Sequence, residues 1–150
     1  MRKVLITGAT DGIGKQTAIN IAQEKHHVIF VGRSKEKCQS VKDEIINLTS
    51  NQNVDFFVSD LSLISANKSL ALDIKKTYSN IDVLINNVGA LFINRELTKE
   101  GIEKTFALNH IGPFTLTLKL LELLNQNKTA RIINVSSAAH YNVVDKNIRK

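Results

Sequence analysis

Tryptophan is absent from the 150 residues, cysteine and proline occur once each, and there are only two tyrosines. The single Cys38 excludes an internal disulfide framework and suits a reducing compartment. With one proline and seven glycines, no flexible linker divides the chain, and neither repeats nor low-complexity stretches interrupt it. Apolar runs stop short of the ~18 residues that a membrane-spanning helix requires. The first residues read as a strand, not as a signal peptide, so a cytoplasmic location is expected. Lys plus Arg number 20 against 14 Asp plus Glu, a net charge of +6, and aromatics are only 5%. That excess is spread along the chain without interleaved aromatics, which reads as a solvated basic surface and not as a nucleic-acid site. No metal site is expected.

What the chain does contain is an alternation of two kinds of segment. Residues 3–7 form a short apolar run, and residues 13–25 carry helical spacing through Ile13, Thr17, Ile21 and Ala22. A second strand, residues 27–31, stops at Gly32, and Ser34 is a candidate N-cap for a helix to about residue 48. A third strand covers residues 54–58, followed by a Ser62-capped helix to about residue 78. Residues 81–85 make a fourth strand. A long helical stretch over residues 98–125, interrupted at Gly112-Pro113, leads to a fifth strand at residues 131–135. Strands that are apolar on both faces and alternate with helices predict a parallel sheet covered on both sides. Right-handed crossovers make it an α/β fold, a Rossmann-type doubly wound sheet ordered 3-2-1-4-5, within one domain over residues 1–150.

The stretch TGATDGIG, residues 7–14, falls where the first strand hands over to the first helix, and it carries Gly8, Gly12 and Gly14. Glycines there free the backbone to approach a ligand, and a helix N-terminus favours an anion such as the pyrophosphate of a dinucleotide. A phosphate-binding P-loop is excluded, because Ala9 stands at the required first glycine and Gln16 where Ser or Thr would hold magnesium. About twenty residues beyond the glycines an acidic residue would bond a ribose 2′-hydroxyl, whereas arginine accommodates a 2′-phosphate. Here the sequence is Gly32-Arg33-Ser34, with Lys35 and Lys37 near, which predicts NADP(H), with NAD as the alternative.

These residues, in this order, resemble the short-chain dehydrogenases/reductases over essentially the whole chain. Thr7-Gly8-x-x-x-Gly12-Ile13-Gly14 is similar to the family's glycine motif, and Thr10 and Asp11 lie within it. Asp60-Leu61 resembles the acidic position placed against the adenine ring; capping of the next helix is its other reading. Asn86-Asn87-Val88-Gly89 is similar to the N-N-A-G segment, with cofactor contact and turn chemistry both open for the asparagines. Leu108-Asn109-His110 and the stretch from Arg131 to Ser137 look most like the branch that includes retinol dehydrogenases. The resemblance implies hydride transfer between a nicotinamide dinucleotide and a small apolar carbonyl or alcohol. It makes Asn109 the helix-kinking amide that holds a water in the proton relay, and Ser137 the active-site serine. On residue spacing alone, Asn109 shares an apolar helical seam with Ile102, Phe106 and Pro113, and Ser136 and Ser137 could equally be small polar strand-enders.

The family's acid/base is a tyrosine followed four residues later by lysine. After Ser137 the only tyrosine is Tyr141, which has Asp145 at that spacing and Lys146 one position too late. The chain is therefore expected to be the cofactor-binding part of a dehydrogenase, incomplete before its catalytic pair. The alternative is a non-catalytic nucleotide-binding or partner-binding module. The helical stretch of residues 98–125 carries two apolar faces, Leu116, Leu120, Leu123 and Leu124 on one and Phe114, Leu118 and Leu121 on the other, so a homodimer through it is a further expectation.

Overall fold

A computed structural model describes residues 1–126 and 128–137. Five parallel strands form one sheet in the order β3-β2-β1-β4-β5. The elements run β1 (Lys3–Thr7), α1 (Gly12–Gln23), β2 (His27–Gly32), α2 (Lys35–Thr49), β3 (Val54–Val58), α3 (Ile64–Thr77) and β4 (Val83–Asn86). A short helical turn α4 (Lys104–Phe106) then widens into a π-helical turn (Ala107–Ile111), continues as α5 (Gly112–Leu124) and leads to β5 (Arg131–Asn134).

The alternation of strand side chains divides the core in two, as a sheet covered on both sides demands. Val4, Ile6, Val28, Phe30, Val83 and Ile85 pack with Ala18, Ile19, Ala22, Cys38, Val41 and Ile45, on the face of α1 and α2. Leu5, Ile29, Val31 and Leu84 point the other way, onto Leu70, Ile74, Leu116, Leu120 and Leu123 of α3 and α5. β5 lies at the sheet edge, and its apolar residues Ile132 and Ile133 are exposed.

Four expectations need correction. The buried stripe of α1 is Gly14, Ala18, Ile19 and Ala22, while Ile13 is 73% exposed. Ile13 stands in the first turn, at the cleft described below, so the helical spacing begins one residue later than the sequence suggests. Helix α3 starts at Ile64, and Ser62 does not cap it: the Ser62 hydroxyl and N–H both bond Asp60 Oδ1, at 2.7 and 3.0 Å. The long helix starts at Lys104, because residues 98–103 form a turn closed by an antiparallel bridge between Leu97 and Glu103. Finally, β4 is Val83–Asn86, two residues later at its start than expected.

Candidate functional site

At the carboxyl end of β1 the chain turns through residues 8–11 into α1. Gly8 has φ +69, and a Cβ there would stand 2.9 Å from Val88 Cα, so torsion and space both reserve the position for glycine. A Cβ at Gly14 would strike Asn87 Nδ2 and the Gly8 carbonyl. Asp11 caps α1, its Oδ1 accepting from Gly12 N at 2.8 Å.

The end of β4 holds this turn in place. Thr7 Oγ1 accepts from the N–H groups of Asn87 and Val88 at 3.0 and 3.1 Å, and donates to the Ile85 carbonyl at 3.4 Å. In return Asn87 Nδ2 donates to the carbonyls of Thr7 and Gly8, each at 3.0 Å. The buried Thr7 hydroxyl thus uses its donor and both acceptor positions. It joins two strand ends at the place where the strand order reverses, which is where open α/β sheets bind ligands.

A cavity of about 590 Å³ opens there. Its floor is Gly8, Thr10, Asp11, Gly12, Ile13 and Gly14, and Val31, Gly32 and Arg33 follow from β2. Ser59 and Leu61 form one wall, and Val88, Gly89, Ala90, Phe92 and Leu108 the other. Arg33 is exposed at the rim, and no carboxylate among the described residues forms an ion pair with it.

Three of the residues expected at the cofactor, Ser34, Asp60 and Asn86, are not among those that line this cavity. Ser34 caps α2, accepting from Lys37 N at 3.2 Å and donating to Glu36 at 2.7 Å. Asp60 is exposed and shapes the loop before α3. Asn86 lies buried in the sheet, its Nδ2 donating to Thr117 Oγ1 at 3.0 Å and Asn134 Oδ1 at 2.9 Å. It faces a second cavity of about 390 Å³, lined also by Asn109, Thr117, Asn134 and Ser136. Ser137 is one position beyond Ser136, and Tyr141, Asp145 and Lys146 lie outside the described residues.

Asn109 is not on a buried seam, for it and Phe106 are both exposed. The π-helical turn is the cause: its wider winding turns Ala107 and Leu108 inward instead. The amide is nevertheless bonded through both its oxygen and its nitrogen. Ala90 N donates to Asn109 Oδ1 at 2.9 Å, and Asn109 Nδ2 donates to the Ala90 carbonyl at 2.8 Å, which fixes the start of the wall bearing Ala90 and Phe92. Sequence reasoning missed Asn87, Ser59, Ala90, Phe92 and Leu108 as site residues. The Asn-Asn pair was a signal for the first and the Leu108-Asn109-His110 stretch for the last; the other three belong to no motif.

The strands, crossovers and cleft define a Rossmann-type doubly wound α/β protein. The family model for short chain dehydrogenase matches residues 2–147, and the chain belongs to that family. It is 37% identical over 139 residues to human retinol dehydrogenase 13, covering 93% of this chain and 42% of that protein. Human polyprenol dehydrogenase is 36% identical over 144 residues, with 93% and 44% covered. The chain thus spans less than half the length of these two relatives. A Shigella flexneri short chain dehydrogenase complexed with NADP superposes with a TM-score of 0.78 at 28% identity, over 93% of this chain and 60% of that one. Among the described residues no helix is long and apolar enough to cross a membrane, and no cluster of side chains could hold a metal ion.

Proposed function

We propose that the chain is the dinucleotide-binding part of an oxidoreductase that moves hydride between NADP(H) and a small apolar carbonyl/alcohol pair in the cytosol. The observation that carries this reading is the cleft at the strand-order reversal, floored by the glycine turn and rimmed by an arginine that has no acidic partner among the described residues. The N–H groups of the turn and the start of α1 suit the pyrophosphate, and Arg33 suits a 2′-phosphate. Asp60 and Leu61 belong to the adenine side, and Asn86, Val88 and Gly89 to the nicotinamide side. When bound, the dinucleotide supplies or accepts the hydride. Asn109 holds the wall at Ala90 and, as in the family, orders a water of the proton relay, while Ser137 bonds the substrate oxygen. No tyrosine in residues 1–150 has lysine four positions on, so the proton-transfer pair is assigned to no residue of this chain. A second copy of the chain, seated on the exposed face of α5, is part of the same reading.

Titration with both cofactors, followed by the fluorescence of the reduced nicotinamide, tests it. The chain should bind NADPH more tightly than NADH. Arg33→Ala should lose roughly tenfold or more of the NADPH affinity, the worth of a hydrogen bond to a charged group, with NADH unaffected. Tighter binding of NADH, or an unchanged NADPH affinity in Arg33→Ala, refutes the cofactor assignment.

A further inference from the structure

Helix α3 begins without a side-chain cap of its own. Leu63 holds its N-cap position, and neighbouring Ser62 is turned back to Asp60. Glu100 takes the exposed N–H groups of the first turn instead: Oε2 accepts from Ile64 N at 2.6 Å and Oε1 from Ser65 N at 2.9 Å. The partners are 36 and 35 residues apart in sequence. The Ser65 hydroxyl, then these two N–H groups, hold the Glu100 carboxyl below the usual carboxylate range. A carboxylate at this end of a helix is also favoured by the helix dipole.

Glu100 belongs to a strap, residues 90–103, that joins β4 to α4. The base of the strap is fixed by the Asn109–Ala90 pair, by Phe92 N donating to Thr105 Oγ1 at 3.4 Å, and by Lys104 and Glu96 at 2.7 Å. Its first residues, Ala90 and Phe92, are one wall of the cleft. The start of α3 carries the opposite wall. Asn67, fully buried on α3, donates to the carbonyls of Leu61 and Leu63 at 2.9 and 2.7 Å, so the loop with Ser59 and Leu61 is bonded to that helix. Glu100 therefore ties the element behind one wall to the element behind the other.

We propose that Glu100 is a positioning residue of the dinucleotide cleft, setting the distance between the wall of Ala90 and Phe92 and the wall of Ser59 and Leu61. The inference rests on the reading of that cleft as a dinucleotide site. It differs from a plain helix-capping role in one testable respect: a cap supplied locally would mend α3 without reconnecting the strap. Asp is among the strongest N-cap residues, and Leu63 already has extended backbone at the N-cap position, with φ −109 and ψ 129.

The experiment compares the full chain with Glu100→Ala and with Glu100→Ala carrying Leu63→Asp. The readouts are thermal unfolding, NADPH titration well below the melting range, and backbone amide exchange without ligand. Glu100→Ala should weaken NADPH binding by roughly 2- to 30-fold, the span of couplings between packed elements. It should also speed exchange at both the 59–63 loop and the Ala90 and Phe92 amides. Adding Leu63→Asp should recover the melting temperature but neither the affinity nor the protection of Ala90 and Phe92. Recovery of affinity along with the melting temperature, or unchanged binding and exchange in Glu100→Ala, overturns the proposal and leaves Glu100 a helix cap. A wild-type chain that binds no NADPH overturns the cofactor reading instead, and the exchange pattern still decides whether Glu100 couples the walls.

Discussion

A methyl group at position 14 would strike both the Asn87 amide nitrogen and the Gly8 carbonyl, and those two groups share the 3.0 Å bond that holds the glycine turn against β4. Gly12 offers a contrast, because its φ is +52 but nothing lies within 4 Å of a Cβ built there. Gly14→Ala should therefore wedge the turn away from β4, lowering stability by roughly 1–3 kcal/mol as overpacking does and weakening NADPH binding. Gly12→Ala should cost only the torsional strain, about 1 kcal/mol. Urea unfolding and cofactor titration of the two variants check this; equal behaviour of the pair would remove the steric argument. The glycines were legible in the sequence because chirality and close approach restrict those positions to one residue type. Asn109 was legible as a residue that must be bonded, but not in its placement. A π-helical turn leaves no periodic signature, so a regular helix put the amide on the wrong face. Glu100 was not legible at all, because its partners are set by the fold and not by nearby sequence.

Near the amino ends of β2 and β3, away from the cleft, three elements meet on one carboxylate. His27 of β2 and the Tyr78 hydroxyl after α3 each lie 2.8 Å from Asp55 Oδ2 on β3, and Lys42 of α2 is 3.6 Å from its other oxygen. Burial alone would raise the Asp55 carboxyl, but the bonds from His27 and Tyr78, with the charges of His27 and Lys42, outweigh it and hold the carboxyl below its ordinary value. Burial, then the bond and charge of Asp55, push the Tyr78 hydroxyl far up. A depressed carboxylate stabilises the fold above its unfolded value, about 3.9, and that contribution fades as pH falls through the lower folded value. A raised phenol stabilises below its unfolded value of about 10 and loses that contribution as pH climbs beyond it. Asp55→Asn should thus be less stable than the parent at pH 7, with the gap closing below about pH 4. Tyr78→Phe should show less alkaline destabilisation than the parent above about pH 10. Denaturant melts across pH measure both, and a gap that does not change with pH would show that the triad is not coupled to folding. At this scale the order of elements was legible from the alternation of apolar runs. The ends were less so: residues 98–103 have helix-like spacing, yet they close a bridged turn around Gly101, whose φ is +78.

For the molecule as a whole, the question is what its uncovered apolar surface meets. The inward face of α5, with Leu116, Leu120, Leu123 and Leu124, is buried against the sheet and α3. On the outward side Phe114 is 57% and Leu118 50% exposed. Phe106, His110 and Phe114 continue that face as a stack of rings, with centroids 5.1 and 6.4 Å apart. Beside it β5 is the last strand of the sheet among the described residues, with Ile132 and Ile133 exposed, and an apolar edge strand is a template for association. A net charge of +6 gives long-range repulsion between copies, but it is screened over about 8 Å at physiological salt, whereas burial of apolar faces is not. The chain should therefore self-associate in solution, with a mass that rises with concentration and with added salt. A charge at the centre of the ringed face must then be desolvated in the associated form, so Leu118→Lys should return the chain to a monomer. Ile133→Lys should do so only if the sheet edge carries the contact. Sedimentation velocity over a hundredfold range of concentration distinguishes these outcomes. A single monomeric species throughout, with a sharp thermal transition, would show that both surfaces are tolerated by a self-sufficient domain and that a second copy is no part of its working form.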